Sequence, residues 1–236
     1  MRKFIRKLTG IDCNETQRNE FLRKVIATLP SGSRILDAGA GELRNKPICS
    51  HLNYVSQDIC QYDGVGNNQG LHTNAWDTKK IDIVSDITDI PEPDKSFDVI
   101  LCSEVFEHLP DPLKALNEFS RLLKGGGILI VTAPFNSLVH FAPYHFSTGF
   151  SRYWYEHHLP EFNFEIDELS ANGDWFDYLK QEVMRLPKAA KHYGDKLWPL
   201  AYVFSGLLLL YFFTRGKSNS ADDLGCFGYH CIAKRE

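Results

Sequence analysis

The hydrophobic residues of this chain fall into one helical repeat followed by a series of short apolar runs. The helical repeat is predicted to begin after the capping residue Asn14 and to extend from Glu15 to Leu29. Its apolar face carries Phe21, Leu22, Val25, Ile26 and Leu29. Five runs of strand length follow, namely SRILDAG, HLNYVSQDI, IDIVSDI, SFDVILCSE and GILIVTAP. Because these apolar runs are separated by helices and loops, they indicate a mostly parallel sheet covered on both faces.

The second half of the chain adds a helix and two further strands. Asp111 and Pro112 are an N-cap and a first-turn proline, so they predict a helix, which the glycines Gly125 to Gly127 would end after Lys124. The runs FEIDELS and CFGYHCIAK are strand-like, and a long helical and apolar segment separates them. The chain therefore alternates between strands and helices as an α/β protein does.

Composition and charge narrow the functional classes. Hydrophobic residues make up 43% and charged residues 24% of the chain, which is typical of a packed globular protein. The formal net charge of -4 argues against a nucleic-acid-binding protein. The six cysteines include no Cys-x-x-Cys pair, which predicts reduced thiols in a cytoplasmic protein. The sequence shows no spacing of metal ligands, so no metal site is predicted. The basic start MRKFIRKLTG lacks the long apolar region of a signal peptide.

The turn after the first predicted strand, in RILDAGAGELR, carries the first candidate binding site. Gly39 and Gly41 are spaced as in dinucleotide-binding and S-adenosylmethionine-binding folds, but a G-x-G-x-x-G fingerprint would need glycine in place of Arg44. The carboxylate of Asp37 would repel a pyrophosphate, by about 1 kcal/mol at ~4 Å in water. The same carboxylate would attract an ammonium or a sulfonium group. Charge therefore favours S-adenosylmethionine, and a nicotinamide-dependent oxidoreductase remains the alternative.

These residues and several later motifs resemble the class I S-adenosylmethionine-dependent methyltransferases of the type-11-like group. ILDAGAGE is similar to the first motif of that family, and FDVILCSEVFEHLPDP and RLLKGGGILIVTAP are similar to its later motifs. The resemblance is close from Ser33 to Pro134, and one departure is Leu43, where the family often has a third glycine. It implies a Rossmann-like, doubly wound α/β fold with a seven-stranded, mostly parallel sheet. The last strand is expected to be antiparallel, with a hydrophobic helical insertion before it.

The resemblance also implies a set of cofactor-binding residues at strand ends. Asp58, in SQDI, stands where the family binds both ribose hydroxyls, and Asp86 with Ile87 stands where it contacts the adenine. Each aspartate alone could equally be an ordinary turn residue, but their order along the chain matches the ligand crevice of a doubly wound sheet. The predicted cofactor-binding residues are Asp37, Gly39, Ala40, Gly41, Asp58, Ile59, Asp86, Ile87, Ser103 and Glu104.

The acceptor side is predicted after the fifth strand, where the chain is rich in histidine and aromatic residues. Because crevices open at the carboxyl ends of parallel strands, His140, Tyr144 and His145 are predicted to line the acceptor pocket. His145 is the first candidate for a general base, and the alternative is a pocket histidine that only forms hydrogen bonds. His108, in the motif before the next helix, is interpreted as structural.

The family's reaction is direct, in-line transfer of the sulfonium methyl group to an oxygen, nitrogen or carbon atom. The acceptor is expected to be a small molecule, and the aromatic residues and the apolar insertion favour a glycan or a lipid-linked intermediate. Two non-enzymatic alternatives remain open. One is a non-catalytic partner subunit that binds S-adenosylmethionine, and the other is a membrane-associated scaffold.

The apolar segment from Leu197 to Phe213 is the last feature that bears on function. It holds no charged residue, and its 17 residues fall short of the roughly 20 that a membrane-spanning helix needs. Two interpretations remain open: a helix buried against the domain or a homodimer partner, and a helix lying in the membrane interface. The basic stretch from Arg2 to Lys7 would support the second interpretation by binding anionic lipids.

Together these patterns predict one methyltransferase domain over residues 1–236. Residues 1–30 would form the basic start and a helix, 31–170 the cofactor-binding core, 171–222 the helical hydrophobic insertion and 223–236 the last strand. The expected location is the cytoplasm, at the membrane periphery if the apolar helix is interfacial.

Overall fold

A computed structural model of the chain describes residues 13–67, 69–71, 75–214 and 220–236, so the basic stretch from Arg2 to Lys7 lies outside the described residues. The helices are α1 Cys13–Ala27, α2 Pro112–Leu122, α3 Arg152–Glu161, α4 Trp175–His192 and α5 Trp198–Thr214. The strands are β1 Arg34–Ala38, β2 Asn53–Asp58, β3 Ile83–Val84, β4 Phe97–Ser103, β5 Leu123–Pro134, β6 Phe164–Asn172 and β7 Gly228–Arg235. Two short 3-10 turns, Lys46–Cys49 and Phe106–His108, follow β1 and β4.

The strands of the described chain form one sheet in the order β3-β2-β1-β4-β5-β7-β6. The pairs β1–β2, β2–β3, β1–β4 and β4–β5 are parallel, whereas β7 runs antiparallel to β5. Backbone hydrogen bonds from Phe227 N to Asn172 O and from Glu236 N to Asn163 O show that β6 and β7 are antiparallel as well. This arrangement confirms the predicted seven-stranded, mostly parallel sheet with an antiparallel last strand.

Helix α1 packs its predicted apolar face against the start of the sheet. The helix begins and ends two residues before the predicted limits. Leu22 and Ile26 are buried against Ile35, Val99 and Ile130 of three neighbouring strands. Burying a side chain of this size contributes about 1.5–3 kcal/mol, so this layer fixes the strands whose carboxyl ends carry the candidate site.

Strand β3 is much shorter than the run IDIVSDI predicted. The Asp82 carboxylate accepts hydrogen bonds from the backbone N and the hydroxyl of Ser56, at 2.9 and 2.7 Å, and Asp82 N donates to the Ser56 hydroxyl at 3.0 Å. Side-chain bonds thus replace the backbone ladder before Ile83. After Val84 the chain turns, and the Asp86 carboxylate accepts from the backbone N and hydroxyl of Thr88. The prediction was wrong about the length of the strand, because periodicity does not report side chains that compete with the ladder.

Helix α2 begins as predicted, with the Asp111 side chain accepting a hydrogen bond from Lys114 N, but it ends earlier than predicted. Strand β5 begins at Leu123, so Gly125 to Gly127 lie within the strand rather than at the helix end. The pairing of β5 with β4 shifts register here, from Phe97 opposite Leu123 to Val99 opposite Ile128. Three consecutive glycines supply the backbone freedom that such an irregularity needs.

The chain divides into two compact units. One unit comprises Arg18–Ser170 and Gly228–Glu236, and it contains all residues of the candidate site described below. The other comprises Met1–Gln17, of which the structure describes Cys13–Gln17, and Ala171–Phe227. Within this second unit, α4 and α5 pack on each other, with the rings of Phe176 and Phe212 6.4 Å apart.

Candidate active site

A cavity of about 520 Å³ opens at the carboxyl ends of β1, β2 and β4. This position is where ligands bind in open α/β sheets, and the volume falls in the usual range for small-molecule sites. The wall contains both strand-end residues and residues of the loop after β5. They are Gly39, Gln57, Asp58, Ile59, Gln61, Tyr62, Trp76, Asp86, Ile87, Thr88, Glu104, Val105, His108, Leu109, Pro110, Asp111, Lys114, Phe141, Tyr144 and Phe146.

The turn after β1 is shaped by two glycines in the left-handed region. Gly39 has φ +73°, and a Cβ atom there would lie 2.5 Å from Val105 Cγ2. Gly41 has φ +51°, and a Cβ atom there would lie 2.9 Å from the ring of Trp76. Leu43, at the position where the resembled family often has glycine, has φ +60°. Leu43 thus adopts the left-handed conformation that favours glycine, at a conformational cost of about 1 kcal/mol.

Asp58, at the end of β2, joins that turn to the cavity wall. Its Oδ2 accepts a hydrogen bond from Gly41 N at 2.9 Å, and its Oδ1 accepts one from Cys60 N at 2.7 Å. Each carboxylate oxygen can accept two hydrogen bonds, so both can also receive a hydroxyl donor from a ligand. Ile59, the next residue, lines the cavity and is 43% exposed. This geometry suits the predicted contact with two ribose hydroxyls.

Asp86 and Ile87 lie in the turn after β3, and both line the cavity. Ile87 is buried and offers an apolar surface, whereas Asp86 is exposed. A buried aliphatic side chain beside an acceptor carboxylate can hold the face of a planar ring and a donor at its edge. The structure therefore brings Gly39, Asp58, Ile59, Asp86, Ile87 and Glu104 together among the predicted cofactor residues.

Asp37 does not reach the cavity wall. Its side chain is 1% exposed, and its carboxylate accepts hydrogen bonds from the Tyr54 hydroxyl at 2.6 Å and from Asn45 Nδ2 at 3.3 Å. Burial raises the pKa of Asp37 to about 6, the two hydrogen bonds oppose that shift, and the charge of Asp58 adds to it. The carboxylate thus lies behind the turn, where it supports the structure instead of facing a ligand.

Of the two predicted cofactor-binding residues at the end of β4, only Glu104 lines the cavity. The hydroxyl of Ser103 bonds the Thr132 hydroxyl at 2.8 Å, and Ser103 does not line the cavity. Glu104 does, in the left-handed region at φ +57°. Its carboxylate is held by Arg18 at 2.8 Å and by the Thr132 hydroxyl at 3.0 Å. A strained, fixed carboxylate at a cavity wall is typical of a functional residue. Ala40 is buried and Gly41 lies under Trp76, so neither lines the cavity.

Aromatic side chains from two loops form the opposite side of the cavity. The rings of Tyr62, Trp76 and Phe141 contact one another, with centroids 4.7 to 5.2 Å apart. Backbone hydrogen bonds from Leu71 N to Val139 O and from Asn67 N to Ala142 O hold the two loops side by side. We call Tyr62, Trp76, Phe141, Tyr144 and Phe146 the aromatic wall. Periodicity gave no indication of Trp76, whereas the aromatic richness after β5 could have identified Phe141 and Phe146.

Three histidines, His108, His140 and His145, form a histidine cluster beside the aromatic wall. The ring centroids of His140 lie 4.7 Å from His108 and 4.9 Å from His145. Among the predicted acceptor residues, Tyr144 lines the cavity and the two histidines do not. His108, which the sequence predicted to be structural, also lines the cavity. The cavity therefore meets the histidine cluster through His108.

The electrostatics of the histidine cluster are governed by burial and by the Glu107 carboxylate. Glu107 is fully buried, and burial raises the pKa of its carboxyl group. Burial, and then the charge of His140, lowers the pKa of His108 to about 3. Burial also lowers the pKa of His145, with His140 adding to the effect. For His140 burial acts in the same direction, but Glu107 outweighs it and the net pKa is raised.

The family comparison agrees with this geometry. A family described as a methyltransferase domain matches residues 36–131, which span β1 to β5 and include the strand-end residues of the cavity. This matched segment is similar to the class I S-adenosylmethionine-dependent methyltransferases. The match ends before the aromatic loop after β5, so it covers the strand-end side of the cavity and not the residues of that loop.

Similar proteins extend this result. The ubiquinone biosynthesis O-methyltransferase of Xylella fastidiosa (strain M23) is 30% identical over 106 residues, which cover 43% of this chain and 42% of that protein. The chain therefore matches less than half the length of that relative.

Solved structures share the fold at lower identity. Phosphoethanolamine N-methyltransferase 2 of Haemonchus contortus, in complex with S-adenosyl-L-methionine, has a TM-score of 0.51 and 16% identity over 97% of this chain and 57% of that one. The [4+2]-cyclase SpnF has a TM-score of 0.54 and 16% identity, over 91% and 79%. Because one of these proteins is a cyclase by name, the fold alone does not establish the reaction.

Proposed function

We propose that the protein transfers the methyl group of S-adenosylmethionine to a small-molecule acceptor. One observation carries this proposal: a single cavity joins the strand-end residues Asp58, Asp86 and Ile87 to the aromatic wall. The strand-end side supplies acceptors for ribose hydroxyls and an adenine surface. The aromatic wall supplies an apolar surface for a second molecule, which cofactor binding alone does not require.

Positioning is proposed to supply most of the rate. The transfer forms a bond between the acceptor oxygen and the methyl carbon while the bond from that carbon to sulfur breaks, which leaves neutral S-adenosylhomocysteine. The hydroxyl proton passes to solvent. Holding the two molecules in line is worth up to about 7–11 kcal/mol in favourable cases. Glu104, fixed by Arg18 and Thr132, places negative charge in the wall, which favours the cationic cofactor. Tyr144 is the predicted acceptor-side residue that touches the cavity.

The acceptor is proposed to be a hydroxyl on a molecule with an apolar part, in the class of lipid-linked intermediates. The rings of Tyr62, Trp76 and Phe141, which contact one another edge-on or tilted, support an apolar or aromatic group beside the reacting atom. The name of the similar ubiquinone biosynthesis O-methyltransferase supports an oxygen acceptor. A glycan would need more hydrogen-bonding groups than the aromatic wall offers.

Calorimetry with S-adenosylmethionine, S-adenosylhomocysteine and NAD tests the cofactor. The first two should bind and NAD should not. Asp58→Ala removes two charge-assisted hydrogen bonds, each worth roughly 1.5 kcal/mol, so S-adenosylhomocysteine should bind about 100-fold more weakly. Asp167→Ala is the matched control, because Asp167 lies on β6, pairs with Lys234 at 2.8 Å and does not line the cavity. Tight NAD binding, or equal affinity of both variants, would contradict the proposal.

Turnover tests the acceptor. Release of S-adenosylhomocysteine should be measured with phenols carrying an apolar chain, with amines, and with free and lipid-linked glycans. Phenols with a chain are expected to react fastest. A protein that binds S-adenosylhomocysteine tightly but turns over none of these classes is instead a non-catalytic partner subunit.

We further propose that the protein is cytoplasmic and that helix α5 places it at a membrane surface. Within the described residues no helix has both the length and the apolar character to cross a membrane. Helix α5 nevertheless exposes about half of each of its large apolar side chains at Leu200, Val203, Phe204, Leu207, Leu208, Leu210 and Tyr211. A charge-free helix with this exposure supports interfacial contact with lipid.

Liposome co-sedimentation tests the membrane proposal. Wild-type protein should bind vesicles that contain anionic lipid, and binding should persist in part at high salt because apolar contact is not screened. Leu208→Asp should lose that salt-resistant part while keeping its thermal stability, since Leu208 is 46% exposed. Leu224→Asp, at a residue 64% exposed outside α5, is the control. Vesicle-independent dimers that Leu208→Asp dissociates would instead identify α5 as a homodimer interface.

A further inference from the structure

The three rings of the histidine cluster face one another next to the cavity, and Glu107 lies beside two of them. One ring nitrogen from each of His108, His140 and His145 lies within 4.8 Å of the others. Glu107 Oε1 is 3.7 Å from the Nε2 atoms of both His108 and His140. These distances are too long for hydrogen bonds. The three histidine nitrogens therefore face one another, and the Glu107 carboxylate lies beside two of them.

The free atoms in this group are buried and have no hydrogen-bond partner among the described residues. They include both oxygens of Glu107, Nε2 of His108 and both ring nitrogens of His145. A buried polar atom without a partner costs about 1–3 kcal/mol, and more when it is charged. Several such atoms around one point indicate a missing common partner rather than separate defects.

Hydrogen bonds at Nδ1 set the tautomers of His108 and His140, so that Nε2 of each neutral ring carries a lone pair. His108 Nδ1 bonds the carbonyl of Tyr144, and His140 Nδ1 bonds the carbonyl of Leu138 at 2.9 Å. A carbonyl only accepts, so each Nδ1 carries a proton, and in a neutral ring each Nε2 has an unshared pair 3.7 Å from Glu107 Oε1. A cation between these atoms would stabilise that arrangement. This pattern is also the one by which metal-ligating histidines are oriented.

The surrounding backbone holds these residues in place. Phe146 N donates to the Glu107 carbonyl at 2.9 Å and Ser147 N donates to it at 3.2 Å. With the bond between His108 and Tyr144, these contacts fasten the loop that carries His145 to the end of β4. Spacing along the chain does not show the group, because 32 residues separate His108 from His140.

We propose that Glu107 and the histidine cluster bind a divalent transition-metal ion. Three imidazole nitrogens and one carboxylate oxygen suit Zn²⁺, Co²⁺ or Fe²⁺, whereas Mg²⁺ and Ca²⁺ prefer oxygen ligands. Zn–N distances of about 2.1 Å place neighbouring ligand atoms roughly 3.4 Å apart, so the rings need to move inward by about 1 Å. A bound ion would fasten the loop of Phe141 and Tyr144 to β4. The proposal does not depend on the methyl acceptor or on the proposed reaction.

The test is a Zn²⁺ titration of the full chain, in competition with a chromophoric chelator. His145→Ala is the test variant, because neither His145 nitrogen has a hydrogen-bond partner among the described residues and its loss breaks no bond there. Wild type should bind one Zn²⁺ tightly, and His145→Ala should bind it at least about 100-fold more weakly. His157→Ala is the control, since His157 belongs to an exposed group with His158 and Glu161 that could hold a metal adventitiously.

Two further readouts separate a metal site from a structural role. Zn²⁺ should raise the melting temperature of wild type and His157→Ala but not of His145→Ala, while the three metal-free proteins melt alike. Co²⁺ should give visible absorption bands in the first two proteins only, and Mg²⁺ should shift none of them. The proposal is overturned if wild type does not compete with the chelator, if His145→Ala binds Zn²⁺ as tightly as wild type, or if only His157→Ala loses binding.

Discussion

Replacing Asp37 with asparagine should stabilise the protein by an amount that grows with pH. The carboxyl group is buried, and its pKa is raised from 3.8 to about 6 in the folded protein. A raised carboxyl pKa means that the folded state holds the proton more tightly than the unfolded state does. Asp37 therefore contributes no destabilisation well below pH 3.8, and its destabilising effect accumulates as pH rises from there through about 6.

The magnitude follows from the two pKa values. A pKa raised from 3.8 to about 6 corresponds to about 3 kcal/mol of lost stability at pH 7.5, at 1.36 kcal/mol per pKa unit. At pH 5 the same linkage gives roughly half of that loss, because Asp37 is still protonated in the folded protein. Asparagine keeps the shape and can still accept from Asn45 Nδ2, while the Tyr54 hydroxyl can turn to accept from the new amide. The pH-dependent part is thus roughly 1 kcal/mol.

Urea unfolding of wild type and Asp37→Asn at pH 5 and pH 7.5 measures this difference directly. Subtracting the two stability differences cancels any change that does not depend on pH. Asp98→Asn is the control, because hydrogen bonds and ion pairs with Lys124 and Arg34 outweigh burial and lower the pKa of Asp98. Asp98 stays ionised at both pH values, so its substitution should give the same effect at each. An Asp37→Asn effect that is equal at pH 5 and pH 7.5 would refute the reasoning.

Two further substitutions test the packing that supports the site. Gly39→Ala should lower the free energy of unfolding by about 3 kcal/mol, because φ is +73° and the new Cβ atom meets Val105. Gly125→Ala is the control, because a Cβ atom there has no neighbour within 4 Å, and it should change the free energy of unfolding by less than about 1 kcal/mol. Thermal melts of both variants measure the difference. Arg121→Ala should cost about 3 kcal/mol in urea unfolding, because it leaves the buried Glu118 carboxylate without its 2.6 Å partner. Lys124→Ala, which breaks an exposed pair, should cost about 1 kcal/mol or less. Equal losses within either pair of variants would contradict the packing argument.

The elements that the sequence predicted well are those that one local pattern determines. Helix α1 and strands β1, β2 and β4 have continuous or periodic apolar residues, and their ends place Asp58 and Glu104 where expected. Strand β3 was overestimated because Asp82 pairs with Ser56 across 26 residues, which no window of sequence contains.

The candidate site was predictable from the strand ends and much less so from the loops. Asp37 and Asp58 both stand at strand ends, but Asp37 pairs in register with Ser56, two residues before Asp58, and Tyr54 and Asn45 hold its carboxylate. Only Asp58 reaches the cavity. Trp76 enters the cavity wall from a loop without periodicity. The histidine cluster forms because the loop after β5 folds back onto the residues after β4, a contact that depends on the sheet order and not on spacing along the chain.

The position of Trp76 gives the protein an optical reporter. The chain has four tryptophans, and of these Trp76 alone lines the cavity, with its indole over Gly41 of the turn after β1. The others lie on helices α3, α4 and α5. A ligand entering beside that turn changes the polarity and the quenchers around one indole while leaving three as a constant background. Intrinsic fluorescence should therefore follow occupancy of the cofactor side without any label.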